Sequence, residues 1–191
     1  MYVLFEGIDT CGKSTQIELL KKAHPEIITT HEPGGTAFGK KAREILLSDT
    51  LHSKRAELLL FLADRAEHYE EVIEPNRDKV VVSDRGFISG IGYALANGDF
   101  DFDELVSLNR FTLKGHFPDR VILFLTDMQT LQERTSQKEL DGIELRGLSY
   151  LLRVQEHMKQ SIIQLGIPHL FVDATDRVEN IHQAILTYLK V

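Results

Sequence analysis

The sequence predicts an α/β fold in which one five-stranded parallel sheet is flanked by helices. Two patterns carry this prediction. Short apolar runs alternate with helical stretches along the chain, and the runs are nearly continuous in apolarity, as in strands buried on both faces. A chain of 191 residues suits one well-packed domain and is short for two. No linker, repeat or low-complexity segment interrupts it, so we expect one domain over residues 1–191.

The predicted strands are rich in branched or aromatic residues. In chain order they are YVLFE (2–6), EIITT (26–30), KVVVS (79–83), RVILFLT (120–126) and HLFV (169–172). The stretches between them have helical patterns, which is typical of an α/β domain with a parallel sheet. One of these patterns, residues 54–76, is apolar on nearly all sides around its centre, LLLFLA. We therefore expect this helix to be covered twice, once by the sheet and once by another subunit.

Composition and charge exclude several classes of protein. The formal charge of −7 argues against nonspecific binding to nucleic acid or to an anionic membrane. No run approaches the roughly 18 consecutive apolar residues of a membrane span, and the start of the chain lacks the pattern of a signal peptide. We therefore expect a cytoplasmic protein whose partners include neither nucleic acid nor a membrane. The one cysteine, Cys11, excludes an internal disulfide and a multi-cysteine zinc site.

A glycine-rich loop follows the first strand directly and leads into the helical pattern STQIELLKKA, and the expected ATP contacts run from Gly7 to Thr15. In this context the loop fits the phosphate-binding pattern G-x-x-x-x-G-K-[ST] with Gly7, Ile8, Asp9, Thr10, Cys11, Gly12, Lys13 and Ser14. Glycines let backbone N–H groups curl round a phosphate, Lys13 reaches the β- and γ-phosphates, and the Ser14 hydroxyl binds Mg²⁺. The loop therefore predicts a nucleotide-binding site.

The third predicted strand leads into Asp84 and Arg85. This places both residues at the carboxyl edge of the sheet, where ligands of open α/β folds bind. Asp84 is suited to hold a magnesium-bound water, and the planar fork of Arg85 is suited to a second phosphate. The plainer alternative is a surface ion pair at the end of a strand.

Phe61 and Arg65 are four residues apart and so share one face of a predicted helix. An aromatic plane beside a guanidinium is able to stack on a nucleobase and donate to its carbonyl oxygen. The residues alone leave a second interpretation equally open. In that interpretation Phe61 belongs to the core and Arg65 forms a salt bridge with Asp64, with Glu67 or with a neighbouring chain.

Four motifs together resemble those of bacterial thymidylate kinases, which are P-loop nucleoside monophosphate kinases. In chain order they are Gly7 to Thr15, Glu32-Pro33-Gly34-Gly35-Thr36, Ala63-Asp64-Arg65-Ala66-Glu67-His68 and Ser83-Asp84-Arg85. The resemblance implies that ATP phosphorylates thymidine 5′-monophosphate (dTMP) to the diphosphate, with Mg²⁺ as cofactor, in the synthesis of dTTP. It also implies a three-layer P-loop fold with strand order 2-3-1-4-5, a lid over the phosphates, and a homodimer, which we expect to form through the 54–76 helix.

The resemblance assigns residues of this chain to the nucleoside part of dTMP. Phe61 corresponds to the ring that stacks on thymine, and Arg65 to the donor to its O4. Ser89 and Tyr93 occupy positions that line the base and the sugar. The tyrosine ring is expected to crowd the place where a ribonucleotide carries its 2′-hydroxyl.

The resemblance also assigns the charged residues that surround the phosphates. Arg85, helped by Arg43, corresponds to the clamp on the monophosphate, and Asp9 to a carboxylate that meets the sugar 3′-hydroxyl and the network of magnesium and arginine. With Lys13 these groups make up the expected catalytic set, together with a cation from the lid. The backbone at residues 173–174 is the expected edge of the adenine pocket.

The expected lid, residues 134–146, is poorer in arginine than that of many bacterial relatives. Thr10 in the phosphate loop is not an arginine, so that loop cannot supply the missing charge. Arg134 is therefore the expected ATP contact, with Lys138 and Arg146 as further candidates.

Two other functions stay open on the sequence. Another nucleoside monophosphate or small-metabolite kinase shares the phosphate loop, but lacks the pairing of Phe61 and Arg65 with the Glu-Pro-Gly-Gly loop. A nucleotide-driven switch requires no small acceptor at all. A guanine-type switch is disfavoured because no Asn-Lys-x-Asp motif occurs in the sequence.

Overall fold

Five parallel strands form the centre of the protein in the computed structural model, which describes residues 1–48, 50–135 and 147–191. The strands are β1 (Tyr2–Glu6), β2 (Ile28–His31), β3 (Val81–Asp84), β4 (Arg120–Leu125) and β5 (His169–Asp173). They pair in the order β2-β3-β1-β4-β5, and these pairings are all parallel. The predicted fold class and strand order are confirmed. Strands β2 and β3 each begin two residues later than predicted because backbone-bonded turns precede them.

Side chains alternate along the strands and divide the core between the two faces of the sheet. Leu4 of β1 and Val121 of β4 are fully buried on one face, and Phe5 and Ile122 are fully buried on the other. Both faces of these central strands are therefore covered. This explains why the strands read as almost continuous apolar runs and not as an alternation of apolar and polar residues.

Helices cover both faces of the sheet. The described helical segments are α1 (Lys13–Ala23), α2 (Ala37–Leu47), α3 (Lys54–His68), a π-helix (Tyr69–Ile73), a 3₁₀-helix (Glu74–Asn76), α4 (Phe87–Asn97), α5 (Phe102–Thr112), α6 (Met128–Thr135), α7 (Leu148–Leu165) and α8 (Val178–Leu189). Helices α3, α4, α5 and α7 pack on the Leu4 face, and α1 and α8 pack on the Phe5 face. The result is three layers. Within the described ranges, no helix combines the length and apolarity needed to cross a membrane.

The predicted 54–76 helix is one continuous helical segment that changes type after α3. Ser53 caps its start, because its hydroxyl accepts a hydrogen bond from the backbone N–H of Ala56, the third residue of the helix, in the way expected of an N-cap. Leu58 and Leu62 are buried against the sheet side. Leu59, by contrast, is 60% exposed, so a single chain covers this apolar helix on one side only.

The carboxyl ends of three adjacent strands bring the predicted motifs together. Phe5 of β1 and His31 of β2 both pair with Asp84 of β3. Beyond these pairs, the N–H of Arg85 donates to the carbonyl oxygen of Phe5 at 2.9 Å, and the N–H of Glu32 donates to that of Asp84 at 3.1 Å. The glycine-rich loop, the Glu-Pro-Gly-Gly loop and the Asp-Arg pair are therefore neighbours at one edge of the sheet.

Candidate functional site

An open cleft of about 880 Å³ lies at this edge of the sheet. It is lined by the glycine-rich loop, by the end of β2 and by Arg43, Asp84 and Arg85. A separate cavity of about 430 Å³ lies near the start of β1, beside Tyr69 and Phe117, and none of the predicted site residues lines it. The phosphate loop, Arg43 and Arg85 therefore share the larger cleft.

Backbone geometry explains the glycines of the phosphate loop. Gly7 and Gly12 have φ angles of 146° and 90°, which favour glycine, and a Cβ on Gly7 would lie 2.9 Å from the carbonyl oxygen of Phe124. Helix α1 begins directly after Gly12, and its first turn contains no acidic residue. The partial positive charge of the helix N-terminus is therefore available to an anion in the cleft.

Lys13 lies inside the loop and is only 6% exposed. Its Nζ donates to the carbonyl oxygens of Gly7 at 3.1 Å and Ile8 at 3.0 Å, and lies 3.6 Å from the Sγ of Cys11. The ammonium group is thus held by neutral partners at the mouth of α1. Because a phosphate oxygen is a stronger acceptor than a carbonyl, a bound nucleotide is able to replace these contacts.

Ser14 and Asp84 face each other across the cleft. The Ser14 hydroxyl donates to Asp84 Oδ2 at 3.3 Å. Asp84 Oδ1 is buried and has no hydrogen-bond partner in the part of the chain that the structure describes. Hydroxyl and carboxylate oxygens are the donors that Mg²⁺ prefers in proteins, so this pair is chemically suited to a divalent cation. Within the described ranges no cluster of three or more His, Cys, Asp or Glu side chains forms a complete metal site by itself.

Arg85 connects the phosphate loop to helix α4. Its Nη1 donates to the carbonyl oxygen of Gly7 at 2.8 Å and to Ser89 Oγ at 3.1 Å, and its Nη2 lies 2.5 Å from Asp9 Oδ1. The residue has a φ of 66°, a left-handed conformation that is uncommon outside glycine. The three contacts hold the guanidinium at the cleft wall, and the surrounding structure sustains this strained backbone.

Glu6 is a fully buried carboxylate directly behind this arginine. It accepts hydrogen bonds from the backbone N–H and the hydroxyl of Ser89, so Ser89 connects Glu6 to Arg85. Burial raises the pKa of Glu6, while the contacts with Ser89 and the charges of Arg85 and Lys13 oppose that rise. Glu6 was not among the predicted site residues, although a charged residue in an otherwise apolar strand is a signal that could have indicated it.

Arg65 is buried and forms an ion pair, but with a partner that the sequence did not indicate. Its Nε donates to Glu32 Oε2 at 2.8 Å, and its Nη1 donates to Asn109 Oδ1 at 2.7 Å. The partner is therefore the acidic residue of the Glu-Pro-Gly-Gly loop, and not Asp64 or Glu67. No local pattern marked Asn109, because it lies on α5 and meets Arg65 only in the folded chain.

The remaining predicted dTMP contacts are Phe61, Tyr93 and Arg43. Phe61 is half-buried and, among the residues that the structure describes, it packs on neither core cluster. The guanidinium carbon of Arg85 lies 5.9 Å from the centre of the Tyr93 ring, within reach of a cation–π contact. Arg43 is exposed at the cleft, and its Nη1 donates to the carbonyl oxygen of Pro33 at 3.1 Å.

Arg134 lies at the end of α6 and connects the phosphate loop to the segment that follows β5. Its Nη1 donates to the carbonyl oxygen of Thr10 at 3.1 Å, and its Nη2 donates to that of Ala174 at 2.7 Å. The predicted lid cation and the predicted adenine edge are therefore in contact. The other lid candidates, Lys138 and Arg146, lie outside the described residues.

Comparisons with known proteins identify the family of the chain. The family model described as Thymidylate kinase matches residues 5–185. Along their full lengths, the chain is 83% identical to the thymidylate kinase of a Sulfurovum species and 49% identical to that of Campylobacter curvus. The crystal structure of thymidylate kinase from Ehrlichia chaffeensis matches the fold with a TM-score of 0.77 at 24% identity, over 100% of this chain and 98% of that one. Since the family model spans nearly the whole chain and these relatives align from end to end, the chain belongs to the thymidylate kinase family.

Proposed function

We propose that the protein transfers the γ-phosphoryl group of ATP to dTMP and releases the diphosphate. The observation that carries the proposal is the position of Arg85, which contacts Gly7 of the phosphate loop and Ser89 of α4. One fixed cation thus borders both the donor loop and the expected acceptor side of the cleft. Phosphoryl transfer between two anions requires this kind of shared positive charge, because positioning and electrostatics supply most of the catalysis. Membership of the thymidylate kinase family supports the choice of acceptor.

On the donor side, the backbone N–H groups of residues 7–15 surround the phosphates of ATP, and Lys13 neutralises their charge. Lys13 exchanges its carbonyl partners for phosphate oxygens when the nucleotide binds. Arg134 contacts the loop at Thr10 and the backbone at Ala174. In this proposal it lies between the adenine edge and the phosphates of the bound nucleotide. A cation in such a position stabilises charge that develops on the transferred group.

Ser14 and Asp84 would hold Mg²⁺. The unpartnered buried oxygen of Asp84 supports this assignment, since a buried carboxylate oxygen without a donor is costly unless a ligand satisfies it. The ion supplies neutralising charge to the β- and γ-phosphates when bound. Few protein ligands are needed, because Mg²⁺ in kinases is held by one or two protein groups together with phosphate oxygens and water.

On the acceptor side, Arg85 and Arg43 hold the phosphate of dTMP, and Asp9 fixes the guanidinium of Arg85 at 2.5 Å. Asp9 also contacts the sugar 3′-hydroxyl in this proposal. The attacking oxygen belongs to a phosphate that is already ionised at neutral pH, so the protein does not need a general base. The work of these residues is to hold the two phosphates in line and to reduce their repulsion.

For the nucleoside part, Phe61 stacks on thymine and Arg65 donates to its O4. Tyr93 packs against the sugar, and Ser89 lies beside it while it connects Glu6 to Arg85. The half-buried state of Phe61 supports its role, since a ring that packs on neither core cluster remains available to a base.

We also propose that the protein is a cytoplasmic homodimer whose interface includes α3. Large apolar side chains are exposed on α2, α3 and α5, namely Phe38, Ile45, Leu47, Leu59 and Phe111. Phe111 is 82% exposed and Leu59 is 60% exposed, which is unusual for side chains of this size. Light scattering at micromolar concentration is expected to give twice the chain mass of 21.7 kDa. A monomer across that range would contradict the assembly.

A coupled assay of ADP release across nucleoside monophosphates tests the activity. With ATP and Mg²⁺, dTMP is expected to give the fastest release, and its kcat/KM is expected to exceed that of deoxyuridine monophosphate by roughly 10- to 200-fold, the value of one methyl group in an apolar pocket. Binding or hydrolysis of ATP that no monophosphate stimulates would contradict the proposal and favour a nucleotide-driven switch.

A further inference from the structure

A buried polar cluster surrounds the guanidinium of Arg65. Glu32, His68 and Asn109 make up this cluster, which we call the Arg65 cradle. The exposed fractions of the three side chains are between 0% and 3%, and Arg65 itself is 3% exposed. A buried polar network of this kind is stable only when its members satisfy one another, so it holds its atoms in one arrangement. The cradle therefore fixes the direction in which Arg65 points.

Each member of the cradle is itself held in place. His68 Nδ1 lies 2.9 Å from Glu32 Oε1, and its Nε2 lies 2.7 Å from the hydroxyl of Thr30 on β2. The Asn109 amide group donates to the carbonyl oxygen of Leu105 at 2.7 Å, which directs its own oxygen toward Arg65. Glu32 remains ionised: burial alone would raise its pKa, but Arg65 and His68 together lower it. The acceptors of the cradle are therefore oriented before any ligand binds.

The cradle uses two of the three nitrogen atoms of the guanidinium. Nε donates to Glu32 and Nη1 donates to Asn109, whereas Nη2 donates to no acceptor within the described ranges. The neighbouring position on α4 is Gly90, where a Cβ would lie 3.5 Å from both Nη1 and Nη2. A longer side chain at this position would approach the guanidinium directly. Glycine therefore places no side chain against Nη2.

We propose that Asn109 and Glu32 are specificity-determining positioning residues, which hold Arg65 so that its Nη2 presents donors to the carbonyl oxygen at C4 of the base. This inference rests on the proposed phosphorylation of dTMP and names the residues that make its base recognition strict. A donor held in one place forms a hydrogen bond with a carbonyl oxygen at C4. An amine at C4 presents a donor to that donor, and neither group then has an acceptor, so binding is weakened. A free guanidinium would turn away from the amine, and discrimination would fall. Selectivity at C4 therefore depends on the cradle as well as on Arg65.

The decisive substrate pair is dTMP and 5-methyl-deoxycytidine monophosphate. Both carry the 5-methyl group and the same sugar phosphate, and the second has an amine at C4 where dTMP has a carbonyl. The ratio of their kcat/KM values is measured for the wild-type protein, Asn109→Leu, Asn109→Asp and Thr112→Val. Thr112 is the matched control, because it lies on the same helix, is buried, and its hydroxyl donates to the backbone carbonyl oxygen of Asn109 and not to the side chain.

Asn109→Leu is expected to lower this ratio by about tenfold or more, mainly through a higher KM for dTMP, with kcat within about threefold of wild type. Asn109→Asp keeps an acceptor oxygen at the same place, so its ratio is expected to stay within about threefold of the wild-type ratio. Thr112→Val is expected to leave the ratio unchanged. A loss that was merely structural would lower the activity on both substrates alike and leave the ratio intact.

The outcomes separate the inference from the function on which it rests. If the wild-type protein prefers dTMP but folded Asn109→Leu keeps the same ratio, the cradle does not determine specificity and the inference is overturned. If the wild-type protein does not phosphorylate dTMP, the proposed function itself fails. Should Asn109→Leu not fold, as judged by thermal unfolding, Asn109→Ala takes its place, since the smaller side chain leaves room for water, and the same change in ratio is required of it.

Discussion

Replacing Arg85 with alanine tests the proposed division of the cleft into a donor side and an acceptor side. The change removes the cation that contacts Gly7, Ser89 and Asp9. It leaves Lys13, the backbone of the phosphate loop and the first turn of α1 in place. We therefore expect the use of dTMP to collapse while the affinity for ATP is kept.

The size of the effect follows from the charges. Two unit charges 4 Å apart attract by about 4 kcal/mol at an effective dielectric constant of about 20, and each 1.4 kcal/mol is about a factor of ten in rate. Loss of the guanidinium is therefore expected to lower kcat/KM for dTMP by about 10³-fold. The carboxylate of Asp9, which loses a partner 2.5 Å away, adds repulsion toward the incoming phosphate. Arg85→Lys keeps the charge but loses the planar fork, so its loss is expected to be smaller, on the order of ten- to a hundredfold.

The assay combines steady-state ADP release with calorimetric titration of ATP. Arg120→Ala is the matched control: Arg120 also bonds a backbone carbonyl and lies over an aromatic ring, that of Tyr188, but it is at the start of β4 and away from the cleft. This variant is expected to lose stability and to keep kcat/KM. Arginine, lysine and alanine have similar difficulty with the left-handed backbone at position 85, so the backbone strain does not differ between the variants.

Two results would refute the reasoning. A kcat/KM for dTMP within tenfold of wild type in Arg85→Ala would mean that the acceptor phosphate is held elsewhere. An ATP affinity that falls while dTMP affinity is kept would mean that the donor and acceptor sides have been exchanged.

Three further predictions test the loop, the acid stability and the packing. Lys13→Ala is expected to lower turnover by at least about 10²-fold with the melting temperature retained, and near-normal single-turnover rates would contradict the phosphate-loop assignment. The pKa of Glu32 is lowered below its ordinary value of 4.5, so its contribution to stability is complete above pH 4.5 and is lost as the pH falls through the lowered pKa. Glu32→Gln should therefore show a shallower loss of stability with acid than wild type in urea titrations, and an unchanged slope would argue against an ionised Glu32. Gly92→Ala places a Cβ 2.6 Å from the Cγ of Met158 and is expected to reduce the free energy of unfolding by about 1–3 kcal/mol, where a neutral effect in urea denaturation would show that α4 and α7 separate easily.

The sheet and the phosphate loop could be predicted because their signals are local. Each strand is a run of consecutive residues whose burial on both faces makes it apolar throughout, so YVLFE and RVILFLT identify β1 and β4 by themselves. The glycines of the phosphate loop occupy backbone conformations that other residues avoid, which ties their spacing to one geometry. The strand order, by contrast, came from the resemblance to a family, since no single run records which strand it will pair with.

Candidate residues of the site were identified by type, but their partners were not. The spacing of Phe61 and Arg65 predicts that they share one helical face. The position of Asp84 after a strand predicts that it lies near the phosphate loop at one edge of the sheet. The sequence also indicated an unusually apolar 54–76 helix, and the exposed Leu59 agrees with that pattern. These are properties of one segment, and a periodic pattern is sufficient to specify them.

Only the tertiary structure decided what each charged group contacts. Glu32 and Asn109 lie 33 and 44 residues from Arg65 along the chain, and folding brings all three within hydrogen-bonding distance. In the same way, Glu6 reaches Ser89, 83 residues away, because β1 and the start of α4 meet at one edge of the sheet. A hydrogen bond depends on distance and angle between atoms, and neither is encoded by the spacing of residues on separate segments. The sequence by itself therefore determined the strands, the phosphate loop and the types of group at the cleft, whereas the packing of strands and helices determined which of those groups hold one another in place.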